Sequence, residues 1–223
     1  MFLRRFLTIL ALVGLVSCAA TGSQAQERRG ATPGDFDFYV LALSWSPGFC
    51  GAGGGDGKSL DQCRAGAELG FVVHGLWPQG ERGFPVDCAP ANRTPSRLAI
   101  ESAKDLYPDE GLARYQWRKH GTCSGVSPTD YYAGVRTARD RVAIPAALRS
   151  PREAQTWTAV DLERAFVAAN PGLRADMLSI ACRGEVLQEV RVCFSKDLRG
   201  FQTCPEVDRR GCRARQITVP PVR

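Results

Sequence analysis

The cysteines constrain this chain more than any other feature of its sequence. Eight of the nine follow an apolar N-terminal segment: Cys50, Cys63, Cys88, Cys123, Cys182, Cys193, Cys204 and Cys212. An even number of cysteines in an exported chain indicates disulfides, because exported proteins fold under oxidising conditions. Zinc is the alternative, but the chain has no Cys-x-x-Cys pair and only two histidines. We therefore expect four disulfides, each stabilising the fold by about 2–4 kcal/mol.

The N-terminal segment has the features of an export signal. Arg4 and Arg5 precede an apolar run over residues 6–16, which is too short to cross a bilayer as a permanent helix. The small residues that end at Ala25 favour signal-peptidase cleavage after that residue. Lipid attachment at Cys18 is the alternative, since Leu-Val-Ser-Cys resembles a bacterial lipobox. We expect a secreted or periplasmic protein with no stable membrane span.

Removal of the signal leaves enough chain for one domain. We interpret residues 1–25 as a signal peptide, residues 26–34 as a short polar leader, and residues 35–223 as a single domain. We expect this domain to be a monomer. Cleavage removes two arginines and no acidic residue, so the net charge falls from +6 to +4. A positive charge suits a polyanionic partner, although mildly basic exported proteins are common.

Hydrophobic periodicity predicts both strands and helices. Residues 36–45 are rich in β-formers, and residues 39–43 are apolar on both faces, which predicts a strand near the centre of a sheet. The other predicted strands cover residues 69–73, 177–182, 185–194 and 213–219. The predicted helices cover residues 96–106, 111–122, 128–142 and 158–170. The order of strands, then helices, then strands indicates an α+β fold with a largely antiparallel central sheet, flanked by helices.

The two histidines are the candidates for chemistry. His74 lies in the segment FVVHGLWPQ, where the pattern predicts that a strand gives way to a turn. His120 lies in RYQWRKHGTC; if this segment is helical, Gln116 shares its face, and Lys119 lies on the adjacent face with Tyr115. A lone histidine is more often structural, but two in such segments indicate a site.

Two imidazoles and a lysine suit the cleavage of RNA by internal transesterification. One imidazole takes the proton of the 2'-hydroxyl, the other protonates the departing 5'-oxygen, and the ammonium stabilises charge on phosphorus. No metal or other cofactor is needed. DNA lacks the 2'-hydroxyl, so we expect RNA as the substrate and no cleavage of DNA.

Three segments resemble the ribonuclease T2 family. They are DFDFYVLALSWSPGFC at residues 35–50, HGLWP at residues 74–78, and W-x-K-H-G-T-C at residues 117–123. The resemblance implies an α+β fold and cleavage through a 2',3'-cyclic phosphate. It also implies that His74 and His120 are the acid–base pair, with His74 as acid and His120 as base, although the sequence leaves that assignment open.

The same resemblance implies further site residues. Lys119 would neutralise the transition state, and Trp77 would offer an aromatic face to a base, or else lie in the core. Gln116 would contact phosphate, and we expect Tyr115 and Trp117 to contact substrate as well. For the disulfides, the resemblance implies four pairs: Cys50 with Cys63, Cys88 with Cys123, Cys182 with Cys212, and Cys193 with Cys204.

Two positions depart from the family pattern. The family usually has His-Glu before the tryptophan of the second motif, where this chain has Tyr115 and Gln116. Gln116 can form hydrogen bonds but carries neither charge nor a transferable proton, so the substitution predicts a reduced activity or a shifted pH optimum. Gln79 follows HGLWP where some members have aspartate, which leaves the base preference open.

Two other functions fit the sequence. The first is an exported RNA-binding or toxin-like protein that lost turnover through the change at Gln116. The second is a metallohydrolase that uses both histidines with a carboxylate such as Glu81 or Asp87, although no recognisable ligand spacing supports it.

Overall fold

The computed structural model describes residues 26–54, 61–89 and 94–222. Its strands are β1 (Glu27–Arg29), β2 (Phe38–Trp45), β3 (Phe71–Gln79), β4 (Phe84–Val86), β5 (Gln155–Trp157), β6 (Leu178–Arg183), β7 (Val186–Ser195) and β8 (Ile217–Val219). Its α-helices are α1 (Ser46–Gly51), α2 (Arg97–Ser102), α3 (Glu110–Lys119), α4 (Pro128–Asp140), α5 (Ala159–Ala169) and α6 (Pro205–Asp208). The predicted signal peptide and Cys18 lie outside the described residues.

Strand β2 lies inside the sheet, as the sequence predicts. All its residues are buried, and it pairs antiparallel with β3 on one side and β7 on the other. Strand β6 also pairs antiparallel with β7, while β8 links β7 to β5. Within the described residues these six strands form one mostly antiparallel sheet, and the prediction of an α+β fold is confirmed.

The two faces of β2 pack against different parts of the molecule. Because side chains alternate along a strand, Leu41, Leu43 and Trp45 point into the main hydrophobic core. Phe38 and Val40 belong to a smaller cluster with Cys193 and Cys204. Further along this second face, Ala42 and Ser44 carry small side chains. Neighbouring strands therefore have room to bring larger side chains together above the middle of β2.

The helices begin where side-chain caps predict them. Ser127 and Thr158 accept hydrogen bonds from the amides three residues later, at the starts of α4 and α5. Asp109 caps α3 in the same way, through the amide of Leu112. Tyr131 of α4 then donates its hydroxyl to the carbonyl of Leu76, which fastens this helix to β3.

Several boundaries differ from the predictions. Strand β3 continues to Gln79, because an edge strand tolerates a proline such as Pro78. Helix α2 ends at Ser102, whose hydroxyl competes for a backbone carbonyl, and α3 ends at Lys119. Part of the predicted polar leader forms β1, which pairs parallel with β4. Strand β8 is shorter than predicted, over three residues. No helix of the described segments is long and apolar enough to span a membrane.

The structure contains the four disulfides that the resemblance implies. They join Cys50 to Cys63, Cys88 to Cys123, Cys182 to Cys212, and Cys193 to Cys204. The bridge at Cys123 lies three residues after His120, and it ties this segment to the chain just beyond β4. The backbone amide of Asp87 adds a hydrogen bond of 2.8 Å to the carbonyl of Lys119. The end of α3 is therefore held from outside the helix.

Removing the bridge beside His120 should cost both stability and turnover. In the double variant Cys88→Ala/Cys123→Ala, a loop closed over 35 residues is freed, and we expect a loss of about 3–4 kcal/mol in the free energy of unfolding. Urea unfolding measures this loss of stability. A lower kcat, measured below the melting temperature, would show that His120 at the end of α3 is no longer held in position. Cys50→Ala/Cys63→Ala is the control, which should lose stability and keep kcat. Equal losses of kcat in both variants would show that the bridge has no special link to His120.

Candidate active site

One cleft brings together six of the seven non-cysteine site residues that the sequence predicts. It holds about 340 Å³, and its lining includes His74, Trp77, Tyr115, Gln116, Lys119 and His120. Arg191 and Arg210 also line it, which adds positive charge beside Lys119. A larger cavity of about 750 Å³ lies beside the Cys50–Cys63 bridge, but both histidines lie outside its lining. The smaller cleft is therefore the candidate active site.

His74 is placed in the cleft by a β-bulge. Val73 pairs with Leu43 and Gly75 pairs with Ala42, so His74 is the extra residue of β3 at that point. The expectation that the strand ends at His74 is wrong, because pairing with β2 continues on both sides of it. A bulge redirects a side chain relative to the regular alternation, and bulges recur beside active sites.

A carboxylate holds the ring of His74. Nδ1 of His74 lies 2.5 Å from Oε1 of Glu189 on β7. The other carboxylate oxygen of Glu189 accepts two hydrogen bonds from Arg191, at 2.9 and 2.8 Å. Burial raises the pKa of Glu189, but the hydrogen bond with His74 and the charge of Arg191 outweigh it and lower the pKa to about 2. Glu189 is therefore an anion across the range in which imidazoles titrate, and its oxygen is hydrogen-bonded to Nδ1 of His74 throughout that range.

His120 has the opposite surroundings. It caps the C-terminal end of α3 and is 7% exposed. Burial lowers its pKa to about 3, with smaller contributions in the same direction from the charge of Lys119 and from His74. Its Nδ1 has no hydrogen-bond partner in the described part of the chain. His120 is therefore a neutral imidazole near neutral pH, and a neutral imidazole can accept a proton.

Trp77 contacts both imidazoles. Its ring centroid is 5.2 Å from that of His74 and 5.4 Å from that of His120. Its indole N–H donates to Oε1 of Gln116 at 2.9 Å, and the guanidinium of Arg191 lies over its ring. A side chain at Gly75 would collide with this hydrogen-bonded pair, since its Cβ would come within 3 Å of both partners. The glycine of the first motif is thus required by packing.

Gln116 and Lys119 supply polar groups beside His120. Gln116 is 1% exposed, and its Nε2 has no hydrogen-bond partner in the described residues. An amide N–H buried in this way normally needs an acceptor, and a phosphate oxygen in the cleft is an acceptor of the right kind. Lys119 lines the same cleft and carries the positive charge that Gln116 lacks.

Tyr115 and Trp117 have different environments. Tyr115 is 40% exposed and lines the cleft, with the guanidinium of Arg118 over its ring. Trp117 is 1% exposed and belongs to the main core, where it packs against Tyr131. The structure therefore places Trp117 in the core and outside the lining of the cleft, because successive residues of a helix point in different directions and this one faces inward.

Sequence reasoning missed Glu189 and Arg191. Both lie on β7, in the segment VLQEVRVCF, whose other residues are mostly apolar and buried. Two charged residues at alternate positions of such a strand face the same side. That pattern is a signal in the sequence, but it does not identify His74, 115 residues earlier in the chain, as the partner.

The two carboxylates considered for a metal site, Glu81 and Asp87, do not line the cleft that holds the histidines. Asp87 forms an ion pair with Arg29 at 3.2 Å, and Glu81 is exposed. No group of three His, Cys, Asp or Glu side chains that could hold a metal ion occurs in residues 26–54, 61–89 and 94–222.

Comparisons with known proteins agree with this geometry. The model of the ribonuclease T2 family matches residues 36–204. A ribonuclease of Aeromonas hydrophila is 34% identical over 206 residues, which cover 89% of each chain. Ribonuclease I of Escherichia coli is 26% identical over 74% of this chain and 77% of its own. Among solved structures, an RNase-related protein from Calystegia sepium superposes with a TM-score of 0.67 at 20% identity, over 84% of this chain and 98% of its own.

Proposed function

Because this chain belongs to the ribonuclease T2 family and is a ribonuclease, we propose that it is an exported endoribonuclease that cleaves RNA by transesterification through a 2',3'-cyclic phosphate. His120 is the base that takes the proton of the 2'-hydroxyl. The 2'-oxygen then forms a bond to phosphorus as the bond from phosphorus to the 5'-oxygen breaks. His74 gives its proton to the departing 5'-oxygen.

The unequal surroundings of the two imidazoles carry this proposal. A pair of titratable groups in unlike environments is typical of an acid and a base working together. Nδ1 of His74 is bonded to the carboxylate of Glu189, whereas burial and Lys119 favour the neutral form of His120. Both rings contact Trp77 within one cleft, so one phosphodiester can reach both.

The transition state needs positive charge and hydrogen-bond donors around phosphorus. Lys119 supplies the charge, and the unpartnered Nε2 of Gln116 supplies a neutral donor. We propose that Tyr115 and Trp77 contact the nucleotide that enters the cleft. Four disulfides support an extracytoplasmic location, since such bonds persist under oxidising conditions.

The proposal predicts the products and the substrate range. Purified protein incubated with RNA in the presence of a chelator should release fragments that end in 2',3'-cyclic phosphate, and DNA of the same sequence should stay intact. In an RNA oligonucleotide with one 2'-deoxynucleotide, only the phosphodiester bond on the 3' side of that nucleotide should resist cleavage, because the 2'-hydroxyl nucleophile is missing there. Mass spectrometry of the fragments measures both effects.

Two outcomes would favour the other functions. Tight binding of the oligonucleotide with no cyclic phosphate would indicate an RNA-binding protein without turnover. Loss of cleavage in chelator, restored by a divalent cation, would indicate a metallohydrolase.

A further inference from the structure

An ionic chain behind the lining of the cleft is not required by the proposed acid–base steps themselves. It runs from His74 through Glu189 to Arg191, with one carboxylate oxygen for the imidazole and the other for the guanidinium. We propose that Glu189, held by Arg191, is a positioning residue that acts on RNA cleavage through His74 alone. This inference rests on the proposed function, in which His74 protonates the leaving 5'-oxygen.

The sheet is built to let this contact form. His74 and Glu189 lie on β3 and β7, which are separated by β2. Glu189 pairs in register with Ser44, and Arg191 pairs with Ala42, the residue next to the bulge that carries His74. Small side chains at both positions of β2 leave the space above the strand open. The larger side chains of the outer strands can therefore meet across it.

Glu189 is surrounded by positive charge. Its side chain is 11% exposed, and its direct partners are His74 from β3 and Arg191 from β7. Helix α3 adds Lys119 and His120 to the same cleft, Arg210 adds another cation, and β2 faces it with uncharged residues. A buried carboxylate is costly unless it is paired and hydrogen-bonded. Here both oxygens are used, so the anion is kept in one orientation.

The contact has two consequences for His74. The hydrogen bond occupies Nδ1, so Nε2 is the nitrogen left to protonate an oxygen in the cleft. The contact also keeps the imidazole ring in one orientation, because the carboxylate is itself held by Arg191. Glu189 does neither of these things for His120, which follows α3 and whose Nδ1 has no hydrogen-bond partner among the described residues.

Arg191 links this chain to the rest of the cleft. Its guanidinium donates two hydrogen bonds to Glu189 and lies 5.5 Å from the centroid of the Trp77 ring. Trp77 in turn contacts both imidazoles. Arg191 therefore holds the carboxylate of Glu189 and also contacts the aromatic ring that both imidazoles contact.

Glu189→Gln is the test, because it keeps the size of the side chain and removes its charge. The side-chain amide of glutamine has one acceptor oxygen and one NH2 donor, whereas the carboxylate of Glu189 has two acceptor oxygens. The variant therefore loses one of the two contacts, either that with His74 or that with Arg191. We expect kcat for a dinucleoside phosphate to fall by about 10–100-fold, which is part of what a general acid contributes. KM should change little, because Glu189 acts on the ring of His74 and not on the bound nucleotide.

A second substrate separates positioning from general damage. A nucleoside 3'-(4-nitrophenyl phosphate) releases nitrophenolate, which leaves without being protonated, so its cleavage needs the base and not the acid. Glu189→Gln should cleave this ester within about 3-fold of the wild-type rate, since general-acid assistance is then dispensable. The matched control is Glu185→Gln, an exposed position just before the same strand, which should behave as wild type on both substrates.

Each result either supports or overturns the inference. Equal losses on the two substrates, or no loss on the dinucleotide, would overturn the action of Glu189 through His74. His74→Ala on the same two substrates tests the underlying acid assignment. If His74→Ala spares the nitrophenyl ester and Glu189→Gln does not, the role of Glu189 is wrong and the role of His74 stands. If His74→Ala loses both substrates equally, the acid assignment itself is wrong. Circular dichroism and melting temperature show that the variants are folded.

Discussion

His120→Ala should lower kcat for RNA by about 10³–10⁴-fold, because it removes the base that deprotonates the 2'-hydroxyl. The loss should be similar for a nucleoside 3'-(4-nitrophenyl phosphate), since the nucleophile must be activated whichever group leaves. His120 makes no side-chain hydrogen bond through Nδ1 to the described residues, so its removal leaves no broken network there. Steady-state rates on both substrates, with a melting curve for each protein, measure the effect.

The pH dependence of the wild-type enzyme provides a second check on His120. Only the neutral ring can accept a proton, and its pKa of about 3 means that protonation is lost early as the pH rises. The acid limb of kcat/KM should therefore lie well below the ordinary imidazole value of about 6.5, and activity should persist at about pH 5. An acid limb near pH 6.5, or an Ala variant that cleaves RNA at the wild-type rate, would contradict the assignment of His120 as base.

His74→Ala has the second largest expected effect, a loss of about 10²–10³-fold in kcat on RNA. The reason differs from that for His120. Without the imidazole, the 5'-oxygen must leave as an unprotonated alkoxide, which is a poor leaving group. An ester that releases nitrophenolate avoids that step, so His74→Ala should recover most of the wild-type rate on it. The ratio of the two rates, measured for wild type and variant in the same buffer, gives the contribution of the acid.

The two histidine variants are controls for one another. Both remove an imidazole from the same cleft, so a loss caused only by a disturbed cleft would appear on both substrates in both variants. A loss that depends on the leaving group for His74, and does not for His120, identifies acid and base separately. The reverse pattern would exchange the two roles.

Much of the fold follows from local patterns in the sequence. Helices α4 and α5 begin at the caps that Ser127 and Thr158 predict, because a cap depends only on residues within one turn. The buried central strand β2 follows from a run of apolar β-formers. The disulfide pairs and both histidine motifs came from resemblance to a family, and the matched segment covers residues 36–204.

The interior of the cleft was predicted less completely. The turn expected at His74 is a bulge within a longer strand, since pairing with β2 outweighs the local signals of glycine and proline. Trp117 lies in the core because the direction of each side chain on α3 depends on how the helix packs. Glu189 and Arg191 were missed, since two charged residues on one strand do not indicate which residue of another strand they will contact.

The sequence by itself determined the fold class, the caps of the helices, and the two segments that carry the imidazoles, because each depends on residues close together in the chain or on a distinctive motif. Only the tertiary structure decided that Trp77 contacts both rings and that Glu189 reaches His74 across β2. The physical reason is distance along the chain. The electrostatic difference between His74 and His120 arises from burial and from a carboxylate more than a hundred residues away, and it exists only after the sheet has formed.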